Sequence, residues 1–202
     1  MITALRLLAE GGRMSGATAL TYEWLREEFT DGTGETWLSA GFVRDVSPRE
    51  ALRRMGVTPC SVAELSVCGV AAYAAAGGTV LVESGWMRAI YDQAGLLSVG
   101  TVAAAVFMTI KNDGFTYCVD GRSITTFGLY AYSLRRGSDP DRLQAEVDAL
   151  DMDFDGNQPD VPDDPVSGAL ALAERATGVH LSPARYARPA LIGSTDHLFV
   201  NR

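Results

Sequence analysis

Two tight-turn signals constrain this chain more than any other feature. Asn112-Asp113-Gly114 and Asp120-Gly121 flank the β-favouring run 115–119, with further apolar runs at 101–110 and 122–127. Asp-Gly tolerates the positive φ angles of short hairpin turns, so the pattern predicts three antiparallel strands in a meander from Thr101 to Phe127. The shorter runs 37–43 and 79–83 also read as strands.

Four Xaa-Pro steps punctuate the helices: Ser47-Pro48, Asp139-Pro140, Asp164-Pro165 and Ser182-Pro183. In each, a capping side chain can satisfy an orphan amide, and proline at the first helical position loses no hydrogen bond. Ser47-Pro48-Arg49-Glu50 has the form of a capping box, and its helix turns Ala51, Leu52 and Met55 inward before Gly56. A helix over 165–177 presents Leu170, Ala173 and Ala176 or Thr177 as one stripe and stops at Gly178. An earlier helix over 21–29 pairs Leu20 with Trp24 and Leu25 with Phe29 at i,i+4 spacing. Helices on one face of a largely antiparallel sheet give a single α+β domain. With no repeat or linker to divide it, the domain is expected over 18–202, after a variable segment 1–17 and with an acidic loop at 151–164.

The apolar share of 47% over 202 residues suits one filled core. No run approaches the ~20 apolar residues of a membrane span, and the start lacks the pattern of a signal peptide. Cys60, Cys68 and Cys118 are an odd set with no Cys-x-x-Cys pair, which reads as reduced thiols in a cytoplasmic protein. The net charge is −8, and residues 146–164 hold eight acids and no base. Outside that window seventeen acids balance seventeen bases. With no basic stripe, nucleic acid is not an expected partner.

The chemistry-bearing residues are sparse. The two histidines, His180 and His197, lie near no Gly-x-Ser-x-Gly elbow, and five scattered Cys and His residues lack zinc-site spacing. Cys118, on a strand, reads as buried packing. Gly32-Thr33-Gly34 lacks the third glycine of a dinucleotide loop, since Trp37 stands there. Asp151, Asp153 and Asp155 with Gly156 match the opening of an EF-hand loop, but position 12 is Pro162 where a bidentate Glu belongs. A solvated acidic loop is therefore expected, with no metal and no cofactor; Asp160, Asp163 and Asp164 belong to it. Glu83 ends a core strand, and Trp86 follows a glycine turn as an edge residue or an interface anchor. Arg135-Arg136 is expected to face water.

Several blocks in order, Trp37-Leu38 with Phe42-Val43-Arg44, Ser47 to Gly56 and Val80-Leu81-Val82-Glu83, resemble a family of small actinobacterial proteins known only as a domain of unknown function. Leu97 to Thr101, Gly137 to Pro140 and Ala169 to Val179 extend the resemblance, which runs from Tyr22 to Ser182 and departs at Gly78-Thr79 and Ser84. It implies a single domain and brings no activity, substrate or catalytic residue.

Enzymes gather convergent polar groups with perturbable pKa values, and this chain offers few. The expectation is a non-catalytic protein-binding or regulatory module without catalytic residues, compatible with an immunity-like role. Its partner would be a protein, basic enough to be drawn to an acidic surface, and not a membrane. The alternative is a small enzyme that uses acidic residues, Glu83 first among them.

Overall fold

Strands buried on both faces read as near-continuous apolar runs rather than alternating ones. The computed structural model, which describes residues 16–60, 68–84, 88–153, 165–188 and 190–199, shows that arrangement. In chain order the elements are α1 (Ala19–Glu28), β1 (Leu38–Arg44), α2 (Pro48–Arg54), β2 (Gly69–Ala75), β3 (Gly78–Ser84), α3 (Ala89–Asp92) and α4 (Ala94–Leu97). The rest are β4 (Val102–Met108), β5 (Asp113–Val119), β6 (Arg122–Gly128), β7 (Ala131–Arg136), α5 (Gln144–Asp148), α6 (Val166–Thr177), α7 (Pro183–Tyr186) and β8 (Leu191–Ser194). The strands form one sheet in the order β7-β6-β5-β4-β1-β3-β2-β8, with every neighbouring pair antiparallel. The fold is α+β in a single domain.

Helices cover both faces of the sheet, not one. Period-two alternation sends Ala40, Phe42, Val80, Val82, Ala104 and Val106 into a core beneath α1 and α6. The intervening Val43, Leu81, Ala103 and Ala105 enter a second core beneath α2, α3 and α4. Small strand residues let the helices approach: a Cβ on Gly41 would meet Ile90 Cγ2 of α3 at 2.5 Å. Helix α6 was expected to bury one stripe, yet every residue from Val166 to Glu174 is buried. The sheet lies under it while α1 and α5 pack on its flanks. Gly178, at φ 72°, ends it in the left-handed conformation.

The meander forms as β4, β5 and β6. Asp120 and Gly121 take φ 47° and 80° in the second turn. The first turn sits earlier than expected, closed by Thr109 N–H donating to Asn112 O at 2.9 Å, and Asp113-Gly114 already belongs to β5. The Asp113 carboxylate instead accepts the Leu129 amide. A Cβ on Gly114 would meet Phe107 Cε1 at 2.7 Å, so this Asp-Gly serves close packing rather than positive φ.

Four capping expectations also need correction, the simplest being Ser182, which precedes Pro183 of α7 but makes no side-chain cap bond. Ser47 Oγ accepts the Glu50 amide at 3.4 Å, but the Glu50 carboxylate turns to Arg53 (2.6 Å) and Arg54 (3.1 Å) instead of closing a capping box. Asp139-Pro140 opens a turn, because the Asp139 amide stays bonded to Ile124 O (3.0 Å) and Pro140 O accepts Thr125 Oγ1 (2.9 Å); α5 begins only at Gln144. Pro165 is the N-cap of α6 rather than its first residue. Ala17, placed by sequence in the variable segment, is buried, and its carbonyl accepts Arg175 Nε at 2.7 Å.

Candidate functional site

Glu83, the acid singled out from sequence, points into the core on the α3 side of β3 and is 1% exposed. It accepts Thr195 Oγ1 at 3.0 Å and the Ile90 amide at 3.5 Å. Burial pushes its carboxyl up to about 7, against the opposing pull of Thr195 and the amides of Ile90 and Ala89. Its β1 neighbour in register is Ser39, whose buried hydroxyl has no partner. A carboxyl poised near neutrality suits proton transfer, but α3 and Thr195 close over this one. Trp86, Asp155, Asp160, Asp163 and Asp164 lie outside the described residues. Among the described residues no group of three or more His, Cys, Asp or Glu is placed to hold a metal ion.

The remaining candidates are dispersed. Cys118 is buried in the core beneath α2–α4, and His197 is exposed on a short 3-10 turn. Arg135 does not simply face water: it pairs with Asp141 at 2.7 Å, and its guanidinium lies 4.7 Å from the Tyr132 ring centroid. Arg136 is exposed.

His180 belongs to a buried polar cluster that sequence reasoning missed. Tyr22 Oη donates to Glu174 Oε2 at 2.7 Å, and His180 Nδ1 lies 2.8 Å from the same oxygen. The Leu181 amide donates to Tyr22 Oη at 3.5 Å. Burial first, then the adjacent Glu174 charge, raises the Tyr22 phenol and keeps it a donor. The isolated bridge of His180 to Ala76, the residue after β2, extends the tie to the end of that strand, so α1, α6 and the sheet are pinned at one point. Glu174, placed directly after the apolar run Ala169-Leu-Ala-Leu-Ala in a helix buried from Val166 to Glu174, was the signal for it.

The outward side of α1 carries an exposed apolar residue beside aromatic rings. At 3.6 residues per turn, Leu20, Glu23, Trp24, Glu27 and Glu28 share one arc while Tyr22 and Leu25 face the core. Leu20, expected to pair with Trp24 at i,i+4 spacing, is 74% exposed. The half-buried Trp24 ring lies 5.2 Å from Tyr186 of α7, which lies 4.8 Å from Tyr73 of β2. Burial, then the neighbouring Tyr73, then Glu28 hold the Tyr186 phenol above its usual range. Glu23, Glu27 and Glu28 are exposed around these rings. Aromatic anchors with an acidic rim suit a cationic partner, through cation–π contact and ion pairing.

Residues 58–189 match the Family of unknown function (DUF6461). The chain belongs to this family. No curated protein and no solved structure matches it. The DUF6461 match begins after α1, β1 and α2, yet β1 lies between β4 and β3 near the centre of the sheet. Tyr73, Glu174, His180 and Tyr186 fall inside the DUF6461 span, whereas Trp24 and Tyr22 fall before it. Both the polar cluster and the aromatic surface therefore join the matched region to the residues that precede it. Among the described residues no helix is long and apolar enough to cross a membrane.

Proposed function

We propose that this protein is a cytoplasmic, non-catalytic binding module that holds a basic segment of another protein on the α1–β2–α7 surface. The observation that supports this reading is the exposed Leu20 beside Trp24, Tyr186 and Tyr73, with Glu23, Glu27 and Glu28 on the same arc. A small acidic protein that captures a basic effector would act in this immunity-like way, the acidic rim raising the encounter rate and the rings supplying the anchor.

The test is affinity capture from the native host with the wild type, Leu20→Asp and Trp24→Ala in parallel, read by quantitative mass spectrometry. The expected result is a basic protein retained by the wild type, released by salt and lost from both variants. Identical retained sets from all three would end the proposal. A second reading, an acid-dependent enzyme, draws on Glu83 and its carboxyl near 7. It requires turnover of a small molecule that Glu83→Gln abolishes while the fold is retained.

A further inference from the structure

A cleft of about 570 Å³ opens where β4 turns into β5. Its walls include Arg26 of α1, Glu35 and Thr36 from the loop before β1, and Lys111 and Asp113 of the hairpin. Arg26 leaves α1 on a different flank from Leu20 and Trp24, although its guanidinium lies 3.8 Å from Glu27 of the surface proposed above. Its volume falls in the ~300–1,000 Å³ range of small-ligand sites.

The charges in this cleft are mixed, and one of them is singular. Sixteen of the seventeen basic residues in the chain are arginines; Lys111 is the only lysine, and it lines this cleft. A lysine is a compact, mobile point charge, unlike the rigid guanidinium fork used everywhere else in the chain. Asp113 is held in place by the Leu129 amide on its Oδ1, while Glu35 and Lys111 are exposed at the lip. A polyanion would meet Glu35 and Asp113, and a polycation would meet Arg26 and Lys111. A ligand bearing one group of each sign complements this mixed set, in which Arg26 already lies 3.8 Å from Glu27 and Asp113 accepts the Leu129 amide.

We propose that the cleft binds a small zwitterion of the free amino-acid or short-peptide class, its carboxylate toward Arg26 and Lys111 and its ammonium toward Glu35 and Asp113. Calorimetric titration of the full chain with trialanine, its N-acetyl and C-amide derivatives, and inorganic phosphate tests this. Trialanine should bind saturably, and each blocked derivative should bind at least tenfold more weakly. Lys111→Met and Glu35→Gln, both exposed substitutions that leave the circular dichroism spectrum unchanged, should each weaken trialanine tenfold or more. Three results would overturn the assignment: no saturable trialanine binding at millimolar concentration, equal binding of the blocked peptides, or phosphate binding more tightly than trialanine. None of them bears on the α1 surface, whose variants are read separately.

Discussion

On the α6 side of the sheet, Glu174 meets Tyr22 Oη at 2.7 Å and His180 Nδ1 at 2.8 Å, whereas on the α3 side Glu83 has Thr195 at 3.0 Å and a long amide contact at 3.5 Å. Both carboxyls are buried, 6% and 1% exposed. The difference lies in their donors. Two short bonds hold the Glu174 side chain, while burial raises the Glu83 carboxyl to about 7 against the pull of Thr195 and the amides of Ile90 and Ala89. The better-satisfied face is also the one whose outer helix presents aromatic rings to solvent.

The largest effect should come from removing what both faces share. The isolated segment 58–189 lacks β1, which would leave β3 and β4 with unpaired inner edges and open both cores. Circular dichroism and amide exchange should show it unfolded, while 16–199 folds; a cooperative melt from 58–189 alone would show that the faces do not depend on a common centre.

Next in size is the pH dependence set by Glu83. Its folded pKa, about 7, lies above the ordinary 4.5, so the native state binds the extra proton between those values. The stabilising contribution is complete below pH 4.5 and is lost as pH rises through 7. At about 1.4 kcal/mol per unit, the shift from 4.5 to about 7 amounts to about 3 kcal/mol. Denaturant melts of Glu83→Gln should lose this slope, and the variant should be the more stable of the two above pH 7. An unchanged slope would assign the pH dependence to other groups.

Tyr22→Phe should cost less, about 1–3 kcal/mol, because Glu174 keeps His180 but loses one donor. Urea melts check it, and a neutral result would mean that water replaces the hydroxyl. Smallest of all, Leu20→Asp should change stability by less than about 0.5 kcal/mol, as expected of a side chain 74% exposed. A larger loss would place Leu20 in the core.

Much of the fold was legible because it rests on local signals. Asp120-Gly121 and the apolar runs around it specified the meander, and Ser47-Pro48 specified the start of α2. Strand β2, Gly-Val-Ala-Ala-Tyr-Ala-Ala, was hidden because alanine is a weak strand former; tertiary burial between β3 and β8 overrides that preference. Strand β7 is an irregularly paired edge, and β8 is only four residues long. The site was less legible. Trp24 pairs with Leu20 on a helical wheel whether that arc faces in or out, and only the packing of Tyr22 and Leu25 against α6 decides it. Tyr73 and Tyr186 lie 113 residues apart, so their convergence on Trp24 had no sequence signature.

The claim that α1 presents a binding surface for basic segments is tested most directly with a displayed library of random 12-residue peptides, selected on the wild-type protein and titrated by fluorescence anisotropy. The account predicts selected peptides rich in Arg or Lys beside one aliphatic or aromatic anchor. Their affinity should fall about 30-fold or more in Trp24→Ala, corresponding to the ~2 kcal/mol of a central anchor, and also in Leu20→Asp, which leaves the fold intact. It should weaken further as salt rises past about 0.15 M. Basic peptides that bind both variants within twofold of the wild type would contradict it.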